Sequence, residues 1–248
     1  DRERAARIDL AACFRLVAHF GMADLVYTHI TLRVPGSRNH FLINPFGTLF
    51  DEVTASSLVK IDLDGRVVEA GTRCPPGVDG SNVNPAGFVV HSAIHMHGAE
   101  AHCVLHTHTR AGMAVAAMRE GLLPINQKSL TFHGRIGYHD YEGLAFDNAE
   151  RERLYRDLGP HQALVLRNHG LLTVGRDCAE AFSLMYSLEV ACRAQVDALA
   201  LGRELVLPPP EVCERTAKQF ERYPDPPVTR EWPHLLRLLD RVNPGYRD

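Results

Sequence analysis

Apolar positions along this chain follow two spacings, one of three and four residues and one of runs or alternation, and the switches between them outline the elements. Between residues 3 and 20, Ile8, Ala12, Leu16 and Phe20 share one helical stripe, and Gly21 follows where a C′ residue belongs. That predicts an opening helix. Short β-rich runs come next at residues 29–34 and 40–44, then at 58–62 and 66–69, the last two joined through the hairpin signal Asp64-Gly65. Asn84-Pro85 reads as an N-cap and a proline at N1, opening a helix to about residue 97, and residues 101–108 read as a buried strand. Thr109 stands where it can cap the next helix, which Gly121 and Pro124 end. Asp147 with Glu150, and Asp177 with Glu180, have capping-box spacing, so helices are expected at 148–158 and 178–201, around a second buried strand at 163–167. The order alternates β and α. From Leu207-Pro208-Pro209-Pro210 the chain becomes a tail with short helical patterns at 211–222 and 234–241. The expected organisation is one domain over residues 1–206 and an arm over residues 207–248, packed on the core or on a neighbouring subunit.

Composition narrows the class. A chain of 248 residues, 45% hydrophobic and 23% charged, can bury a sizeable globular core. The net charge of −3 and pI near 6.6 offer no general attraction to nucleic acid or anionic lipid, so a small molecule or a protein is the expected partner, with neither nucleic acid nor membrane. The six cysteines are scattered without a CxxC pair and read as buried thiols in a reducing compartment. No run approaches the roughly 18 apolar residues of a membrane span, and the amino terminus is charged; a cytoplasmic protein is expected.

The chemistry-bearing residues are histidines. Fourteen are present, concentrated between His91 and His139. His106-Thr107-His108 ends the apolar run Cys103-Val104-Leu105; residues two apart on a strand project from one face, so both imidazoles can chelate one ion. A second apolar run, Ala163-Leu164-Val165-Leu166, leads into Arg167-Asn168-His169-Gly170 and places another histidine at another strand end. Neighbouring strand ends of an α/β sheet are where ligands gather.

His106-Thr107-His108-Thr109 before an alanine-rich helix, together with Arg167-Asn168-His169-Gly170-Leu171-Leu172-Thr173-Val174-Gly175, resembles the two signatures of the class II aldolase/adducin family, over most of residues 7–200. The segments at 41–47, 52–61, 86–94 and 138–141 resemble the adducin head domain and its bacterial relatives more than the sugar-phosphate aldolases. The resemblance implies an α/β fold, a three-layer α/β/α sandwich around a mostly antiparallel central sheet, commonly a homotetramer with sites near subunit boundaries. It also implies one divalent metal ion on His106, His108 and His169: zinc first, with manganese or Fe(II) as alternatives.

Other aldolase features are replaced. The Ser-Ser-Glu run that holds phosphate and moves the proton in those enzymes aligns with Pro85-Ala86-Gly87, so the general base is absent from its usual place at Gly87. The remaining phosphate contacts align with His29 and, beyond Asn44, with Phe46-Gly47. A phosphate dianion needs several fixed donors to offset its desolvation, so a phosphorylated sugar is not the expected substrate. Proton transfer then falls to His91, His133, His139 or Glu142, with His91 first because it follows Gly87 by one helical turn. Against this, His91 can face the core, His133 and His139 can bond backbone groups, Tyr138 and Tyr141 can be packing residues, and His95, His97 and His102 are expected in solvent around a helix-to-strand connection. The readings are a metal-dependent carbon–carbon lyase acting on a non-phosphorylated carboxylate or carbonyl substrate, a catalytically inactive adducin-like binding module, and a non-haem iron oxygenase.

Overall fold

The computed structural model describes residues 2–84, 90–95, 101–144, 149–221 and 227–248. One eight-stranded sheet runs through it: β1 (Ile30–Arg33), β2 (His40–Ile43), β3 (Val59–Asp62), β4 (Val67–Glu69), β5 (Cys103–Thr107), β6 (Gly137–His139), β7 (Ala163–Leu166) and β8 (Gly170–Gly175). Their order is β4-β3-β2-β1-β5-β8-β7-β6, antiparallel throughout except for the parallel pair β6 and β7. The helices are α1 (Arg2–His19), α2 (Arg110–Ala116), α3 (Gln127–Leu130), α4 (Glu150–Leu158), α5 (Cys178–Ala200), α6 (Pro210–Glu221) and α7 (Pro227–Val242). Residues 90–95 are helical as well.

Strand alternation sorts the core into layers. Ile30, Leu32, Cys103, Leu105, Val165 and Leu171 turn to one face and pack with α1, α2 and α5. Val104, Leu164, Leu166, Leu172 and Val174 turn to the other and pack with Val90, Ala93 and Ile94 and with Leu154 and Leu158 of α4. Phe41, Ile43, Val59 and Ile61 form a third cluster. The result is the expected sandwich: helices on both faces of a mostly antiparallel sheet.

Local chemistry explains several boundaries. Thr109 caps α2 by accepting from the Gly112 amide, and Asp177 caps α5 by accepting from the Glu180 amide. The Asp64-Gly65 turn closes the β3–β4 hairpin, with Gly65 at φ 79°. Other boundaries differ. α2 stops at Ala116, well before Gly121; α4 starts after Ala149 with no side-chain cap, and Asp147 lies outside the described residues. β6 and β8 are strands that the pattern did not separate from their surroundings.

The tail folds back on this chain. Leu239 and Tyr246 are fully buried, the Trp232 indole donates to Asp9 at 3.3 Å, and the Ala55 and Ser56 amides donate to the carbonyls of Tyr246 and Asp248. The nearly buried Arg15 of α1 ties Val53 to Asn243. The cysteines are all free; five are buried and Cys74 is half-buried. Among the described residues no helix is long and apolar enough to cross a membrane.

Candidate metal centre

Sheet topology assembles the site. β2, β5 and β7 are related by two antiparallel steps each, so they run in one direction, and β6 runs with β7. Their C-terminal ends therefore open at one edge of the sheet. That edge carries residues 44–47 after β2, His106 to His108 at the end of β5, His139 to Glu142 after β6, and Arg167 to His169 after β7. His29 joins them from the start of β1, where it is the next cross-strand neighbour after the pair Ile30 and Leu105 and accepts the His106 amide at 3.4 Å.

His106, His108 and His169 bring one ring nitrogen each to within 4.8 Å of one another. Nε2 of His108 lies 2.8 Å from Nε2 of His106 and 2.9 Å from Nε2 of His169. The far sides of two rings fix what those nitrogens carry. His106 Nδ1 is 2.9 Å from the Leu171 carbonyl, which can only accept, so Nδ1 holds the proton. His108 Nδ1 donates to the Asp24 carboxylate at 3.0 Å. Burial, with His169 and His108 alongside, holds the His106 pKa well below its ordinary value. Burial, then His108 and His139, lowers that of His169 to about 4. Neutral rings with lone pairs on Nε2 cannot hydrogen-bond one another; a proton on His108 bridges one neighbour, whereas a cation meets all three lone pairs. Nitrogens around a tetrahedral zinc ion stand roughly 3.4 Å apart, within the span found here. The donor set fits a divalent ion.

The backbone makes that approach possible. Residues 167–169 form a tight turn between β7 and β8, with Asn168 at φ 56° and the His169 amide donating to the Leu166 carbonyl at 3.0 Å. At Gly170 a Cβ would sit 2.3 Å from the Thr107 carbonyl oxygen and 3.2 to 3.3 Å from the rings of His108 and His106. Only glycine lets the turn lie against β5. Asp24 is presented by a turn in which Leu25 takes φ 47°, rare for leucine. Nothing local in the sequence marks Asp24, which lies in a loop 84 residues before His108.

The other expected site residues divide. His29 is buried, its ring centroid 6.1 Å from that of His106. Asn44 is buried and its amide donates to the Pro45 carbonyl; Phe46 is half-buried; Gly47, at φ 95°, is exposed. Gly87 lies outside the described residues, as do Pro85, Ala86 and His97. His139 does not offer a free nitrogen: Nδ1 is 2.8 Å from Asp157 and Nε2 is 3.4 Å from Glu150, so the ring fastens α4 to β6 through carboxylates rather than backbone carbonyls. Glu142 is clamped by Arg153, at 2.7 Å from Nε, which holds its carboxyl below the usual range. Both remain beside the centre, since a small cavity is lined by His139, Tyr141, Glu142 and His169. Tyr138 accepts the Leu122 amide and supports Arg167, whereas Tyr141 is 54% exposed, its ring 6.4 Å from that of His169. His91 is fully buried on the face that carries His29. His95, expected in solvent, is 3% exposed and stacks on Phe41. It lies four residues after His91 and therefore on the same face of the helix.

Comparison with known proteins finds relatives over the full length of the chain. A family model described as the class II aldolase and adducin N-terminal domain matches residues 8–196. A Caulobacter vibrioides protein named as a candidate class 2 aldolase is 48% identical over 100% of this chain and 94% of its own. Rat alpha-adducin is 43% identical over 99% of this chain, which spans 34% of that protein. Among solved structures, an aldolase II superfamily protein from Pseudomonas syringae superposes with TM-score 0.92 at 48% identity, covering 100% of this chain and 97% of that one. L-fuculose 1-phosphate aldolase from Glaciozyma antarctica superposes with TM-score 0.85 at 28% identity, covering 99% and 93%.

Proposed function

The chain belongs to the class II aldolase and adducin N-terminal domain family, and from that premise we propose that it is a metal-dependent carbon–carbon lyase acting on a small, non-phosphorylated carboxylate or carbonyl compound. The carrying observation is the convergence of three Nε2 atoms whose partners leave lone pairs on His106 and His108. His106, His108 and His169 would hold the ion, zinc first and manganese or Fe(II) otherwise. A bound divalent ion supplies Lewis acidity, which stabilises charge developing on a carbonyl or carboxylate oxygen next to a breaking bond. Asp24 orients His108, the Leu171 carbonyl orients His106, and each keeps a ring in the tautomer that ligation needs.

The surroundings favour a substrate without phosphate. His29 and Phe46 stand where hydroxyl and amide donors would be needed. Arg167, the cation next to His169, is turned onto the carbonyls of Met118 and Arg119 and across the Tyr138 ring. Homotetrameric assembly and a cytoplasmic location belong to the same proposal. A second reading, an adducin-like module that keeps the ion without catalysis, is favoured by the ties on His139 and Glu142, which leave neither free to move a proton.

The test is elemental analysis of protein purified without chelator or affinity metal, followed by a lyase screen over hydroxy acids and aromatic carboxylates with dihydroxyacetone phosphate as control. One ion per chain, lost in His106→Ala and His169→Ala, is expected, with turnover of a carboxylate and no micromolar binding of the phosphate. Full metal content in both variants would remove the reading. Metal without turnover of any compound favours the binding module.

A further inference from the structure

The two edges of the sheet carry different chemistry. β1 runs from the metal side, where His29 precedes it, to Arg33, and His102 before β5 and Arg176 after β8 reach the same far edge. There the Arg33 amide donates to the His102 carbonyl at 2.7 Å, and the His102 amide donates to the Gly175 carbonyl at 3.0 Å. The extended chain from His102 to His106 puts this edge roughly 13 Å from the metal histidines. A groove of about 1130 Å³ opens here between the start of α1, the turn joining β1 to β2, and the start of α5, and none of the three metal histidines lines it. Its size suits an organic molecule rather than a lone ion.

The cations of the groove are not neutralised from within. Arg33 is half-buried; its Nη1 donates to the Arg38 carbonyl and its Nη2 to the His95 carbonyl, each at 2.6 Å, while the buried Nε has no hydrogen-bond partner. Burial lowers the Arg33 pKa, the adjacent Arg38 adds to the fall, and no carboxylate opposes them. Among the described residues neither Arg33 nor Arg38 pairs with a carboxylate, whereas Arg176 is held by Glu180. Two neighbouring cations in a partly desolvated groove repel one another, and a dianion between them offsets both the repulsion and the lost solvation. The carboxylates that line the groove, Asp9 and Asp177, belong to the α1 and α5 side, where Asp9 accepts from Trp232 and Asp177 caps α5. Leu32, Val34 and Leu63 add an apolar wall.

We propose that this groove is a second ligand site, which takes an organic monophosphate with an apolar or aromatic body, the phosphate against Arg33 and Arg38 and the body along Leu32, Val34 and Leu63. The site is independent of the metal centre and of the chemistry there. Arginine meets phosphate through paired N–H donors, and the fork of Arg33 is held by two carbonyls before any ligand arrives. Asp9 and Asp177 disfavour a second anionic group on their side, which selects a monophosphate over a bisphosphate. Phosphate alone, or a triose phosphate, forgoes the apolar contacts and binds weakly.

Calorimetry on the full, metal-loaded chain tests it, with adenosine monophosphate as the probe and adenosine, inorganic phosphate and dihydroxyacetone phosphate beside it. Adenosine monophosphate should bind at micromolar concentration and the other three should not. Arg33→Gln and Arg38→Gln should each weaken that binding by about tenfold or more, and Arg38 is exposed, so its variant keeps the fold. His106→Ala should leave the affinity unchanged, so the site stands even if the metal reading fails. No binding of adenosine monophosphate, equal binding of adenosine, or an affinity unmoved in both arginine variants overturns the proposal. Affinity lost in His106→Ala would put the phosphate at the metal centre and overturn it too. So would a chain that sediments with phosphatidic acid vesicles but binds no soluble phosphate, which would make the arginines a lipid contact.

Discussion

Acid should unfold this protein in part through His95, and the size of the effect can be worked from its surroundings. The ring is 3% exposed, stacks on Phe41 at 4.3 Å between centroids, donates from Nδ1 to Ala101 and accepts at Nε2 from Thr31. Burial is the largest cause of its low pKa, and Arg33 and His102 push the same way, from 6.5 to about 3. The unfolded chain therefore takes up a proton first as pH falls, and stability declines wherever it binds more protons than the folded state. The contribution is fully present above 6.5 and is lost progressively as pH falls to about 3. At pH 5 the penalty is RT ln(1 + 10^1.5), roughly 2 kcal/mol, from this residue alone. Urea unfolding of metal-stripped wild type and His95→Gln at pH 7.5 and pH 5 isolates it, since the other buried histidines are common to both. Wild type should lose about 2 kcal/mol more than the variant over that interval. Equal losses would show that His95 is already solvated or charged in the folded protein, and the hydrogen bond that its Nε2 accepts from Thr31 would fall with it.

Two further substitutions probe the centre's supports. Asp24→Asn should lower zinc affinity by about ten- to a hundredfold, measured by competition with a chelator, while changing the unfolding midpoint little because Asp24 lies at the surface; unchanged affinity would mean that Asp24 does not orient His108. Gly170→Ala puts a methyl group 2.3 Å from the Thr107 carbonyl oxygen, so β7 and β8 must move off β5; about 1–3 kcal/mol of stability and most of the metal content should be lost together. A fully stable, fully loaded alanine variant would contradict the close approach.

What was legible in the sequence is what neighbours in the chain decide. Alternation over Cys103–Thr107 places His106 and His108 on one side because the pleat has period two, and the opening helix and the capping residues Thr109 and Asp177 follow equally local rules. β6 was not legible: three residues, paired on one edge with β7 alone, are too few to show a period. His95 was misread for a different reason. The glycine and polar residues after it signalled a connection, although its four-residue spacing from His91 already required that the two be buried or exposed together.

The contacts that give the centre its chemistry had no local signal at all. Asp24 and the Leu171 carbonyl reach their histidines across 84 and 65 residues, and the Thr31 hydroxyl reaches its two rings across 60 and 64. What makes these meetings inevitable is strand direction. Once β1 pairs with β2 on one side and with β5 on the other, Thr31 and His29 must share a face with His106, and the start of β1 must lie at the edge where β2 and β5 end. The helix that covers this face then sets its buried histidines against both residues.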